Sequence, residues 1–218
     1  MSGAGSFWSS CSKAALNLLY PPKCGLCGLL GDEAICSVCA GSFQAKDLVL
    51  NSDHGLEFVD HIAALYAYEG RASQAVLRLK YSRITSLAEP MARLIAEYAK
   101  DLNLLDFDAF VPVPIHWTRR CFRGFNQSEL LCEALPLDRV RTDLLRRTRA
   151  TRSQTGLKPE ERKRNLLGAF AGSPNAKGML IALVDDVLTT GYTAQECARA
   201  LKEAGASEVV AIAFAGGQ

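Results

Sequence analysis

The chain reads as an α/β protein with a small metal-binding module at its N-terminal end, and three observations carry that reading. Residues 179–184, Met-Leu-Ile-Ala-Leu-Val, are a continuous apolar run between Gly178 and Asp185. A run of this length without alternation suits a strand in a sheet covered on both faces. Strand-like and helix-like segments alternate along the chain, the second observation. The third is the spacing Cys-x2-Cys-x8-Cys-x2-Cys at Cys24, Cys27, Cys36 and Cys39.

At 218 residues, 49% of them hydrophobic and 22% charged, the chain can bury one core and carry a small appendage. The formal charge of +2 hides a basic segment, since residues 139–164 hold ten Lys or Arg against three acids. No apolar run approaches the roughly 18 residues that span a bilayer, so membrane insertion is not expected. The N-terminus has no basic region before its apolar residues, and Trp8-Ser9-Ser10 before Cys11 makes a poor lipoprotein cleavage site. A cytoplasmic protein with reduced cysteines is therefore expected.

In chain order, residues 11–20 suit a short amphipathic helix, stopped by Pro21 and Pro22. Two Cys-x-x-Cys knuckles follow, with Gly25 and Gly28 easing the bends. They supply four thiolates for a closed tetrahedral site, which suits structural zinc because a catalytic zinc keeps an open position. Two disulfides, a redox pair or an iron–sulfur cluster also use four cysteines, but the paired knuckles favour zinc. So small a module needs the metal to fold. Residues 1–45 form this unit, and 46–218 form the body. Cys11, Cys121, Cys132 and Cys197 lack such spacing and read as ordinary thiols.

Residues 61–68 suit a strand, and 71–81 and 86–102 suit helices. In the first helix Ala75, Val76 and Leu79 share a face, while Lys80 near its end reads as a solvated partner of the helix dipole. Residues 107–114 suit a strand closed by Val111-Pro112-Val113-Pro114. A donor-rich loop over 116–128 and an apolar helix to about 135 come next. In that loop Arg119, Arg120 and Arg123 offer planar guanidinium donors for a diphosphate, with a basic surface loop as the ordinary alternative. Residues 140–145 suit a strand. Residues 146–164 lack apolar periodicity and read as a mobile basic loop of about 146–165, either a solvated run or a lid. Residues 166–170 return to the core, 193–204 suit a helix, 209–214 a last strand, and Gly216-Gly217 a frayed end.

The chemistry concentrates at 183–193, Leu-Val-Asp-Asp-Val-Leu-Thr-Thr-Gly-Tyr-Thr. Asp185 and Asp186 are expected to leave the strand end, where carboxylates can meet the vicinal hydroxyls of a ribose or a magnesium ion bound to them. Thr189, Thr190, Gly191, Tyr192 and Thr193 then lie between a strand and a helix N-terminus, where a phosphate is held. No Walker loop or dinucleotide glycine motif stands in a strand-to-helix context, which disfavours ATP and NAD.

The 183–193 stretch resembles the 5-phosphoribosyl-1-pyrophosphate (PRPP) motif of type I phosphoribosyltransferases. Together with the four cysteines, Leu79-Lys80-Tyr81, Val111-Pro112-Val113-Pro114, Arg123-Gly124-Phe125-Asn126-Gln127-Ser128 and Arg152-Ser153-Gln154-Thr155-Gly156-Leu157, it is similar to the ComF family, also called GntX-like or double-zinc-ribbon phosphoribosyltransferases. The resemblance implies a type I phosphoribosyltransferase fold, a twisted mostly parallel sheet flanked by helices, with an N-terminal zinc ribbon. It implies ribose contacts at Asp185 and Asp186, a 5-phosphate loop at 189–193, a pyrophosphate loop at 113–123 and a flexible catalytic loop at 146–164. Pro114 and Trp117 depart from the small residues common in pyrophosphate loops. The expected activity is magnesium-dependent transfer of a phosphoribosyl group from PRPP to an unidentified nucleobase or amine, linked to DNA uptake. The alternative is a PRPP-sensing or single-stranded-DNA-binding protein that acts with DNA-uptake proteins.

Overall fold

The structure, a computed structural model, describes residues 21–46, 55–151 and 164–217; the helix expected over 11–20 and residues 152–163 of the basic segment lie outside them. The elements run α1 (Ser37–Ala40), β1 (His61–Ala67), α2 (Gly70–Leu77) with a π-helical turn over Arg78–Ser82, α3 (Ala88–Asp101), β2 (Ala109–Pro112), α4 (Trp117–Arg123), α5 (Gln127–Leu131), β3 (Leu145–Arg147), β4 (Phe170–Gly172), β5 (Leu180–Leu188), α6 (Tyr192–Glu203) and β6 (Glu208–Gly216). The main sheet has the order β1-β6-β5-β2, and all its pairings are parallel. β3 and β4 form a separate antiparallel pair.

Alternation along each strand divides the interior in two. Ala182, Val184, Val210, Ile212 and Phe214 pack with Leu79, Met91, Ile95 and Leu131 from the helices of one face. Ile181, Leu183, Val209, Ala211 and Ala213 pack with Ala198 and Leu201 of α6 and with Leu145 and Phe170 of the β3–β4 pair. Both faces are thus covered, which is why the 179–184 run is apolar throughout. Each fully buried Met, Ile or Leu contributes about 1.5–3 kcal/mol of transfer free energy.

Both edges of the sheet are bridged in part. Beside β1, Lys46 N–H donates to the Leu65 carbonyl at 3.0 Å and Ala67 N–H to that of Gln44 at 2.8 Å. Beside β2, Val140 forms a parallel bridge with Phe110, Arg141 N–H donates to the Phe110 carbonyl at 2.9 Å, and Pro112 has no N–H to offer.

Several expectations are corrected. The strand expected over 179–184 continues through both acids to Leu188, because Asp185, Val187 and Leu188 stay in register with Ala213, Ala215 and Gly216. The donor-rich loop holds a helix, α4, capped by His116, whose Nδ1 accepts from Thr118 N–H, and ended by Gly124 at φ 89°. The strand expected over 140–145 is displaced to Leu145–Arg147, with Val140 left as an isolated bridge and Arg141 and Asp143 paired at 2.7 Å across an intervening bend. The C-terminal end is tied rather than frayed: Gly217 N–H donates to the Leu188 carbonyl, and Lys46 Nζ to that of Gly217, each at 2.8 Å. Among the described residues no helix is long and apolar enough to cross a membrane.

Gly172 is where β4 meets α6, and a Cβ there would run into the Ala200 carbonyl and stand 2.8 Å from the Ala204 Cβ. Backbone cannot yield as a flexible side chain does. Gly172→Ala is expected to destabilise the fold by about 1–3 kcal/mol in urea unfolding, and an unchanged midpoint would contradict this packing.

Candidate functional site

Asp185 and Asp186 lie within β5 near its C-terminal end, 8% and 1% exposed. Carboxylates at such depth need partners. Asp185 Oδ1 accepts from Ser128 Oγ at 3.0 Å and from the Asp186 N–H at 2.9 Å. Ser128 is positioned by Asn126, which caps α5 by accepting from the Ser128 N–H at 3.1 Å while its amide donates to the Val113 carbonyl at 3.0 Å. The end of β2 thereby sets the start of α5, and α5 sets a partner for the acid.

The partner of Asp186 is Lys80, whose Nζ stands 2.7 Å from Oδ2. Lys80 is not the solvated dipole partner expected from the sequence. After Leu77 the helix widens into its π turn, and Arg83 ends that turn at φ 55°. The change of pitch buries Leu79 and turns Lys80 towards the sheet. Burial alone would lower the Lys80 pKa, but the charges of Asp186 and Asp185 outweigh it and hold the ammonium above its ordinary value. Asp185 is pushed up to about 8, first by burial and then by the charge of Asp186, with Lys80 opposing.

Beyond Leu188 the chain turns through Thr189 and Thr190 to Gly191, which stands at φ 71° and precedes α6. That conformation favours glycine, and a Cβ there would lie 2.5 Å from Leu56 Cδ1 and make the leucine side chain shift. The first intrahelical bond runs from Gln195 N–H to the Gly191 carbonyl at 2.8 Å. The N–H groups of a helix's first turn have no intrahelical acceptor, and this turn faces a cavity.

That cavity, about 430 Å³, joins most of the expected residues: Asp185, Asp186, Thr189 to Thr193, Arg119 and Arg123 all line it, together with Lys80 and Arg147. Arg119 and Arg123 sit one turn apart on α4. Arg120 points elsewhere, in a 2.6 Å ion pair with Glu129. The sequence located Arg147 only as one base in a run; its place on β3 brings it to the cavity. Burial, reinforced by the charge of Arg119, lowers the Arg147 guanidinium to about 10, and its buried Nε has no hydrogen-bond partner among the described residues. Burial and the charge of Arg123 lower Arg119 as well. Guanidinium groups crowded against one another form a wall that an anion would relieve.

The four cysteines converge, with all ligand atoms within 4.8 Å of one another. Four sulfurs at about 2.3 Å from a tetrahedral zinc stand about 3.8 Å apart, and Cys27 Sγ and Cys36 Sγ are 3.7 Å apart. The backbone N–H groups of Leu26 and Cys36 point at Cys24 Sγ at 3.4 Å each, a setting that favours thiolate. These residues could hold a zinc ion. The module packs on the body, because Arg71 donates to the Leu26 carbonyl at 3.1 Å, Arg78 to that of Gly25, and a Cβ at Gly25 would meet Leu87 at 2.7 Å. Elsewhere Cys121 is exposed, and Cys132 and Cys197 are buried.

Asp185 ionises near 8 in the fold against an ordinary 3.8. Between those values the unfolded chain gives up the proton and the folded one keeps it, so this group's contribution to stability falls as pH rises from 3.8 to about 8. Scanning calorimetry is expected to show Asp185→Asn melting higher than wild type at pH 8, with the gap closing towards pH 4; a gap independent of pH would contradict this. Colorimetric titration after thiol modification is expected to release one zinc per chain, with a lowered melting temperature once the metal is removed.

No family model matches the chain. The DNA utilization protein YhgH of Escherichia coli (strain K12) is 33% identical over 220 residues, covering 88% of this chain and 96% of that protein. Competence protein F of Haemophilus influenzae is 27% identical, covering 91% and 86%. Among solved structures, glutamine phosphoribosylpyrophosphate amidotransferase from B. subtilis is 18% identical with a TM-score of 0.42, over 63% of this chain and 30% of that enzyme. Phosphoribosylpyrophosphate synthetase from Mycobacterium smegmatis is 19% identical with a TM-score of 0.31, over 59% and 33%. The chain therefore spans about a third of the length of these enzymes. The parallel sheet flanked by helices and the four-cysteine module accord with the type I phosphoribosyltransferase fold and zinc ribbon expected from the sequence. With a third of its positions identical to YhgH over nearly the full length of both, the chain belongs to the ComF family, that of DNA utilization protein YhgH and competence protein F.

Proposed function

We propose that this protein binds PRPP and transfers its phosphoribosyl group to a nitrogen acceptor. One observation carries the reading: a buried acid pair and a Thr-Thr-Gly-Tyr-Thr turn at a helix N-terminus share one cavity with a wall of arginines. In this reading Asp185 and Asp186 accept hydrogen bonds from the ribose hydroxyls. Thr189, Thr190, Gly191, Tyr192 and Thr193 surround the 5-phosphate. Arg119, Arg123 and Arg147 take the diphosphate, while Arg120, paired with Glu129, is not among the residues that line the cavity. Carboxylate oxygens are hard donors that suit magnesium, which when bound with PRPP would neutralise part of the diphosphate charge.

The acceptor nitrogen's lone pair forms the new bond to the ribose C1 as the C1–O bond to pyrophosphate breaks. The acceptor's proton is released, and the arginine wall receives the developing negative charge. Among the described residues no cysteine lines the cavity, and the proposed step uses no thiol intermediate. The names of the relatives support a role in DNA use or competence, and the reduced cysteines expected of such a protein suit the cytoplasm. A second reading, a PRPP-sensing or single-stranded-DNA-binding accessory of DNA-uptake proteins, is favoured by Trp117, which is 68% exposed on the arginine-rich α4.

Isothermal titration is expected to show magnesium-dependent PRPP binding, weakened at least about 100-fold by the Asp185→Ala, Asp186→Ala double change; equal affinity in the variant would sink the proposal. Pyrophosphate release with PRPP, magnesium and a panel of nucleobases and amines separates the two readings. Turnover supports the enzyme, and PRPP binding without turnover supports the sensor.

A further inference from the structure

The mouth of the cavity has a chemistry that the donor site does not use. Tyr81 and Phe122 both line it, yet they remain 62% and 81% exposed. A single exposed ring is ordinary, but two from different elements at one cavity mouth mark a contact surface. Each ring is held by an arginine from the rim. The Arg123 guanidinium lies 5.7 Å from the Tyr81 ring centre, and that of Arg83 lies 5.3 Å from the Phe122 ring centre. Arg83 also donates to the Phe122 carbonyl, and Arg123 to the Gln127 side chain. The π turn and α4 are thereby laced together crosswise, and the rings are ordered before any ligand arrives.

We infer that Tyr81 and Phe122 form a stacking site for a planar nucleobase, placed to present it to the sugar site. The charges decide between the two acceptor classes left open by the sequence. Arg83, Arg119 and Arg123 make the mouth cationic, and of the two carboxyl groups deeper in, Asp186 is already paired with Lys80 and Asp185 is held towards its neutral form by burial. An aliphatic amine, cationic near neutral pH, would be repelled there. A neutral aromatic base has no such penalty and gains stacking, while guanidinium donors suit the acceptor atoms on its edge and any attached phosphate. Its role as acceptor rests on the PRPP reading, but the stacking itself does not.

The test uses the full-length zinc-bound protein. Fluorescence anisotropy compares a short oligoadenylate strand with an abasic strand of equal phosphate number at one salt concentration, and saturation-transfer NMR probes free adenine with PRPP present. Phe122→Ala and Tyr81→Ala are each expected to weaken base binding about 5- to 100-fold, while Phe122→Trp and Tyr81→Phe retain it. Preference for the base-bearing strand identifies a base within single-stranded nucleic acid, and a signal from adenine alone identifies a free base. Equal binding of both strands without an adenine signal, or alanine variants that bind like wild type, overturns the inference. PRPP titration of Phe122→Ala should match wild type, so absence of PRPP binding in the wild type would sink the donor reading and leave stacking to be judged on the strands.

Discussion

Burying two adjacent carboxylates inside a strand is the constraint around which the rest of the cavity is built. Both acids have lost most of their solvation where they stand, and the charge of Asp186 raises the cost of ionising Asp185. The chain meets this with help from opposite directions. Lys80 arrives from the π turn with a full positive charge, and Ser128 arrives from α5 with a hydroxyl. Each donor in turn needs its own placement. Lys80 depends on the widened turn and the left-handed residue that ends it, and Ser128 on an asparagine cap anchored to the end of β2. Three elements distant in sequence are thus fixed by two side chains on a fourth.

The four-cysteine module takes part in this arrangement. Its knuckle residues Cys24, Leu26 and Cys36 belong to the same buried cluster as Leu79, Leu87 and Met91. Phe43, just past the last cysteine, meets Phe214 of β6 edge to face at 5.7 Å between ring centres. Arg78, two residues before Lys80, donates to the Gly25 carbonyl within the first knuckle. The metal-binding turns therefore brace the segment that neutralises Asp186, and a module too small for a core of its own borrows one from the body.

What could be read from the sequence was whatever depends on neighbours along the chain. The 179–184 run, the Cys-x2-Cys pairs and the Gly191 turn each declare themselves within a dozen residues. What could not be read depends on partners far away. Charged residues ordinarily end a buried strand, so Asp185 and Asp186 suggested a strand end; they stay inside because Lys80 meets them from more than a hundred positions earlier. α4 has no buried residue, hence no apolar stripe to reveal it, and its cap is a histidine rather than a usual capping residue. Arg119 and Arg120 are indistinguishable until the helix turns one towards the cavity and the other towards Glu129. Arg147 needed the pairing of β3 with β4 before it had a direction.

Each margin of the main sheet is bridged in part, by residues 44–46 at the end of β1 and by Val140 and Arg141 along β2, which also ends in a proline. At those positions a strand from another molecule would find the main-chain groups already bonded, which helps guard the parallel sheet against edge-to-edge aggregation. Strand addition is obstructed at those bridged positions. At these bridged stretches, recognition of a macromolecule falls to side chains and loops, and so to charge and ring chemistry rather than to backbone shape.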